Sequence, residues 1–212
     1  MSLPRLLLAD DHRIVVEGLR SILSPEFDLV GIVEDGRQLV EAARRLEPDI
    51  IIADVSMPHL NGLDAVQQLK REGSRAKVVF LTMHKDTTYA ARAMEIGAMG
   101  FVLKHCASSE LLEAIRTVLS GQAYLTPEVA EGLDRLASSK STAARSPSLT
   151  PRQREIVQLF AEGKSAREVA ATLHISNRTA ENHKARIMDV LCLTSTSELI
   201  QYAIRHGIIT PG

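Results

Sequence analysis

Five short apolar runs set the fold of the first half of the chain: RLLLAD (5–10), DLVGIV (28–33), DIIIAD (49–54), KVVFLT (77–82) and GFVLK (100–104). Each is continuous rather than alternating, the pattern of a strand covered on both faces. Between the runs, apolar residues recur at helical spacing: Ile14, Val15, Leu19, Ile22 and Leu23; then Leu39, Val40, Ala43 and Leu46; then Leu63, Val66 and Leu69. Ala90, Ala93 and Met94 continue the series, as do Leu111, Leu112, Ile115, Val118 and Leu119. Strands alternating with helices through short connections specify a parallel sheet. The handedness of such crossovers leaves a doubly wound α/β fold of five strands.

The signal changes after Gly121. Residues 1–122 read as the α/β domain and 123–148 as a linker, with a possible helix at 127–137 and a Ser- and Ala-rich stretch, SSKSTAARSPS, after it. Residues 149–212 hold four helical segments and no strand. They read as a separate all-α domain of about 60 residues, a size that folds alone. Thr150 is placed as a helix N-cap with Pro151 in the first turn.

No apolar run approaches the ~18–20 residues that span a bilayer. The opening MSLPRLLLADDH meets acid at once, without a signal-peptide cleavage region, so a cytoplasmic protein with no membrane partner is expected. Cys106 and Cys192 lie far apart with no metal-ligand spacing, and are expected as partly buried thiols. Net charge is −1, but acidic side chains outnumber basic ones up to residue 125 and the order reverses beyond it. A basic second half points weakly toward nucleic acid.

In a doubly wound sheet, function collects at the carboxyl ends of the strands. There the sequence places Asp10 and Asp11, Asp54, Thr82 and Lys104. Adjacent carboxylates at the end of a buried run repel each other, and a hard divalent ion such as Mg²⁺ removes that cost. Asp54 follows the most apolar strand and sits at the centre of the set. A carboxylate beside Mg²⁺ and Lys104 is suited to attack phosphorus, with Thr82 hydrogen-bonding a phosphoryl oxygen.

Asp10-Asp11, ADVSMPHLNG after the third strand, LTMH after the fourth and FVLKHC after the fifth resemble the receiver domain of bacterial two-component response regulators. The resemblance covers about residues 3–122 and implies a flavodoxin-like sheet. It further implies that Asp54 takes a phosphoryl group from a sensor histidine kinase. Asp11 would ligate Mg²⁺ directly, Asp10 through water and Ser56 through its backbone carbonyl. Thr82 and Phe101 would form a switch pair; many receivers carry tyrosine where Phe101 stands. Ser56 and His84, each two residues beyond a key position, are expected to tune the lifetime of the acyl phosphate.

In the second domain, GKSAREVAATLHISNRTAENHKARIMDVL (163–191) reads as helix, tight turn, helix. Ser165 caps the first helix and Ser176 or Asn177 the second. Ile175, Ala180, Ile187, Val190 and Leu191 are expected in the core. LTPRQREIVQLFAEGKSAREVAATLHIS followed by RTAENHKARIM resembles the DNA-binding domain of the LuxR family over about residues 149–209, and its pairing with a receiver resembles the NarL/FixJ subfamily. On that likeness Glu155 is a structural ion-pair residue, while Lys164 and Arg178 contact the DNA backbone. Thr179 and His183 anchor the recognition helix, and Glu181, Asn182, Lys184, Ala185 and Arg186 are candidates for the groove face. The last helix, SELIQYAIRHGII (197–209), carries an apolar stripe of Leu199, Ile200, Ala203 and Ile204. That stripe serves packing within the domain or pairing of two domains on an inverted repeat in double-stranded DNA.

Together these features predict a response regulator that dimerises when phosphorylated and binds DNA, not an enzyme beyond its own phosphoryl transfer and dephosphorylation. An aspartyl phosphatase would need a second acid two residues after Asp54, where Ser56 stands, and no GxxxxGK[ST] loop is present for a nucleotide. The alternative is a constitutive DNA-binding regulator whose receiver only dimerises.

Overall fold

In the computed structural model, which describes residues 2–83, 87–105, 108–139 and 149–209, the apolar runs form the strands of one sheet. They are β1 (Arg5–Ala9), β2 (Asp28–Val33), β3 (Ile50–Ala53), β4 (Lys77–Thr82) and β5 (Gly100–Leu103), joined by a two-residue β6 (Tyr124–Leu125). The order is β2-β1-β3-β4-β5-β6 and every pairing is parallel. The chain divides into two compact units, Met1–Ser141 and Thr142–Gly212.

Successive strand residues point to opposite faces, so each strand feeds two cores. Leu7, Ile51, Val78, Phe80 and Phe101 pack under α2 (Gly36–Leu46), α3 (Gly62–Arg71) and α4 (Thr87–Glu95). Leu6, Leu8, Ile50, Ile52, Val79 and Val102 pack under α1 (Arg13–Leu23) and α5 (Ser108–Leu119). Burial on both faces is why β1, β3, β4 and β5 carry no polar alternation, whereas the edge strand β2, also expected to be covered, is largely half-buried with Ile32 exposed.

The sheet exceeds the five strands expected. Tyr124 and Leu125 pair with Gly100 and Phe101, and α6 (Pro127–Ser139) follows at once. Val129 of α6 is buried in the same core as Tyr89, Ala90 and Ala93 of α4. Residues 124–139, assigned above to a linker, are therefore built onto the α/β unit. The helix expected at 127–137 is present as α6, whereas a two-residue strand is too short to show any period.

The second unit contains α7 (Pro151–Ala161), α8 (Ala166–Leu173), α9 (Asn177–Val190) and α10 (Thr196–Arg205). Thr150 and Ser165 cap α7 and α8 in reciprocal boxes with Gln153 and Glu168, and Ser176 caps α9. Glu155 pairs with Arg152 at 2.6 Å. His174 closes α8 in the left-handed region, which makes the tight turn into α9. Ala180 and Ile187 are buried, whereas Leu191 and Ile175 are half-buried and Val190 is 48 % exposed. Val190 thus stands outside the core that Leu191 and Leu193 still pack against. Cys192 is exposed rather than partly buried, and Cys106 lies outside the described residues. Helix α10 stops at Arg205, short of residue 209, because Gly207 takes a positive φ of 62°. Among the described residues no helix is long and apolar enough to cross a membrane.

Candidate functional site

Strand order reverses at β1, which has β2 on one side and β3 on the other, so a crevice opens at the carboxyl ends of β1 and β3. Ala9 is in register with Ala53, and the next residue of each strand is an aspartate. The Asp54 amide donates to the Ala9 carbonyl at 2.8 Å, which holds the two strand ends together. Asp10 and Asp54 are both buried, at 1 % and 4 % exposure, and Asp11 is exposed.

Lys104 crosses from the end of β5 to reach them. Its Nζ lies 2.7 Å from Asp10 Oδ2 and 2.7 Å from Asp54 Oδ2, and its side chain is buried. Burial pushes the Asp54 carboxyl above its ordinary pKa, with Lys104 opposing and Asp10 adding to the rise. Burial lowers the Lys104 ammonium, but the charges of Asp54 and Asp10 and its hydrogen bonds to both outweigh it, so the group is held above its usual value. The lysine therefore stays cationic in the crevice, and the carboxylates keep a counter-charge.

Thr82 is fully buried at the end of β4, and its carbonyl accepts the Lys104 amide at 2.8 Å. Phe101 is fully buried too, its ring 6.4 Å from that of Phe80. The half-buried Ser56 donates its amide to Asp54 Oδ1 at 3.2 Å. His84 lies outside the described residues.

The structure adds His12, which sequence reasoning missed. Its Nδ1 lies 2.9 Å from Asp11, 3.1 Å from Asp10 and 3.9 Å from Asp54. The signal was the contiguous Asp-Asp-His. The ligand atoms of Asp10, Asp11, His12 and Asp54 all lie within 4.8 Å of one another. Three carboxylates in that space form an oxygen-rich donor set that fits a hard divalent ion.

The loop after Asp54 is fixed by close backbone approach. A Cβ at Gly62 would stand 1.9 Å from the Asp54 carbonyl oxygen, and one at Gly36 2.0 Å from that of Leu60. Gly62→Ala is expected to destabilise the chain by about 2 kcal/mol through overpacking and to displace Asp54. A urea melt checks the first effect, and reduced phosphoryl uptake from acetyl phosphate the second.

In the second unit, Arg178, Glu181, Asn182, Ala185 and Arg186 are exposed on α9. Thr179 is half-buried, its Oγ1 2.7 Å from Ser176 Oγ. His183 and Lys184 are half-buried as well, and Lys184 turns toward the scaffold rather than outward. Its Nζ lies 4.8 Å from the centre of the Phe160 ring and donates to Thr196 Oγ1 at 3.1 Å. Lys164, before α8, faces Glu162 at 3.5 Å.

Residues 6–116 match the model of the response regulator receiver domain, and residues 147–203 that of bacterial regulatory proteins of the luxR family. This chain is a LuxR-type response regulator. The regulator is 35 % identical over 208 residues to the transcriptional regulatory protein MctR of Rhizobium johnstonii, covering 97 % of this chain and 95 % of the relative. It is 32 % identical over 207 residues to the response regulator UvrY of Escherichia coli K12, covering 96 % and 94 %. Among solved structures it is similar to Salmonella typhimurium RcsB, with a TM-score of 0.65, 26 % identity and coverage of 97 % and 99 %. It is also similar to an RcsB–DNA complex, with a TM-score of 0.60, 26 % identity and coverage of 95 % and 98 %. The regulator thus joins an α/β receiver to a helical DNA-binding domain and acts in transcription regulation.

Proposed function

We propose that Asp54 is the phosphoacceptor, loaded by a cognate sensor histidine kinase in the cytoplasm, and that loading drives dimerisation and DNA binding. The observation that carries this reading is the buried Lys104 ammonium, 2.7 Å from both Asp10 and Asp54 at the open end of the sheet. In the transfer, an Asp54 oxygen attacks phosphorus. The P–O bond forms as the P–N bond of the kinase phosphohistidine breaks, and the imidazole nitrogen keeps the electron pair and takes up a proton. Lys104 neutralises charge on the phosphoryl oxygens, and Thr82 donates its hydroxyl to one of them. Asp10, Asp11, Asp54 and the Ser56 carbonyl would hold Mg²⁺, which supplies further charge neutralisation when bound. Phe101 shifts with Thr82, and Ser56 borders the path of the hydrolytic water.

On the output side, Arg178, Glu181, Asn182, Ala185 and Arg186 form the proposed groove face of α9. Lys164 contacts phosphate, while Thr179, His183 and Lys184 set the helix against the duplex and its own scaffold. Two recognition helices in a homodimer suit an inverted repeat. Incubating the full chain with Mg²⁺ and acetyl phosphate is expected to put one phosphoryl adduct on the peptide containing Asp54 and to raise the dimer fraction in sedimentation. Absence of an adduct overturns the phosphoacceptor assignment. An adduct with an unchanged dimer fraction overturns phosphorylation control of dimerisation.

A further inference from the structure

The residues that follow the receiver motifs are bound to the strand carrying Phe101 and Lys104. The Thr126 amide donates to the Phe101 carbonyl at 3.1 Å. The Thr126 hydroxyl, itself buried, donates to that carbonyl at 3.5 Å and accepts the Leu103 amide at 3.4 Å. One side chain thus spans β5 from Phe101 to the residue before Lys104. The same residue opens α6, since its carbonyl accepts the amides of Val129 at 2.9 Å and Ala130 at 3.0 Å.

Two more contacts bring α6 to segments that leave the site. Glu128, in its first turn, faces His105 at 3.7 Å, and His105 is the neighbour of Lys104. Gly132 lies so close to the start of α4 that a Cβ there would stand 2.3 Å from Thr87 Cγ2. Helix α4 follows β4, which ends in Thr82. The start of α4 and the strand around Phe101 therefore both bear on one helix, which precedes the DNA-binding unit in sequence.

We infer that α6 is the output element of the receiver, with the Thr126 hydroxyl as the positioning group that couples it to the state of β5. This rests on Asp54 being the phosphoacceptor. A displacement of Phe101 or of the start of α4 changes the seat of α6 because the helix is hydrogen-bonded to one and packed against the other. A hydroxyl bridging a strand carbonyl and amide follows small shifts that an apolar contact would absorb.

The test uses the full chain at saturating beryllofluoride and Mg²⁺, with hydrogen exchange read on amides 129–135. In the unsubstituted protein, loading is expected to change α6 exchange by about fivefold or more, the lower end of ordinary coupling. Thr126→Val, which keeps the shape and loses the hydroxyl, is expected to bring the loaded-to-unloaded ratio close to one while Asp54 still takes beryllofluoride. Thr126→Ser is expected to restore the ratio, and Gly132→Ala to speed α6 exchange before loading. Unchanged α6 exchange on loading of the unsubstituted protein overturns the proposal. So does an unsubstituted ratio in Thr126→Val, or failure of Thr126→Ser to restore it. Failure of Asp54 to take beryllofluoride, seen by ¹⁹F NMR, overturns the phosphoacceptor reading instead, so the two failures are distinct.

Discussion

Lys104→Met is expected to lower phosphoryl incorporation from acetyl phosphate by about a hundredfold, the usual loss when one preorganised donor to a developing anion is removed. The position offers no substitute. Its ammonium reaches Asp10 and Asp54 together, and both carboxylates are buried. Removing the cation also removes the main group that opposes the rise of the Asp54 pKa, leaving only the Ser56 amide. The carboxyl then needs a higher pH to ionise, so the acid limb of the rate–pH profile shifts to higher pH. That shift separates an electrostatic loss from a structural one, because a displaced but unaltered carboxylate would lower the rate at every pH alike. Lys104→Arg keeps the charge but replaces a compact ammonium with a planar fork, and is expected to retain the acid limb while losing part of the rate. Incorporation in Lys104→Met within about threefold of the unsubstituted chain would show that Lys104 contributes no transition-state charge stabilisation.

The sheet was legible because strands buried on both faces cannot hide their composition: DIIIAD admits few other structures. The acidic site was legible for a related reason, since Asp10 and Asp54 each follow a strand and parallel register aligns them. What escaped was side-chain direction and the short element that exists only because a neighbour pairs with it. His12 adjoins the aspartates in sequence, yet only the turn into α1 brings its ring over them. Tyr124-Leu125 is too short for any period and becomes a strand because the edge of β5 is free to pair. In the recognition helix, spacing separates inner from outer residues but does not tell how a long side chain is directed. Lys184 stands beside Ala185 in sequence, but its stem lies along the scaffold and its ammonium over Phe160.

The pair that sequence reasoning passed over entirely carries the other large expected effect. Arg92 of α4 donates through Nη2 to Asp64 Oδ1 of α3, with side-chain exposures of 16 % and 2 %. Asn61, the N-cap of α3, donates to the second oxygen of Asp64 at 2.7 Å. Arg92→Leu leaves that carboxylate buried with one neutral donor, and is expected to destabilise the receiver by about 3 kcal/mol. The slowest-exchanging amides of β3 and β4 report opening of the whole unit, so their exchange measures the loss without interference from the helical domain. The expected behaviour of the double variant Asp64→Leu/Arg92→Leu is the sharper consequence. Arg92 Nη1 is buried with no hydrogen-bond acceptor among the described residues, so the pair is incompletely satisfied. Two apolar side chains there should recover most of the stability lost in the single variant. If Arg92→Leu costs less than about 1 kcal/mol, the bridge is only a solvated contact. If the double variant is as unstable as the single one, the loss comes from packing of the arginine stem. The recovered double variant would keep the fold while replacing a directional, charge-assisted tie between α3 and α4 with a non-directional one.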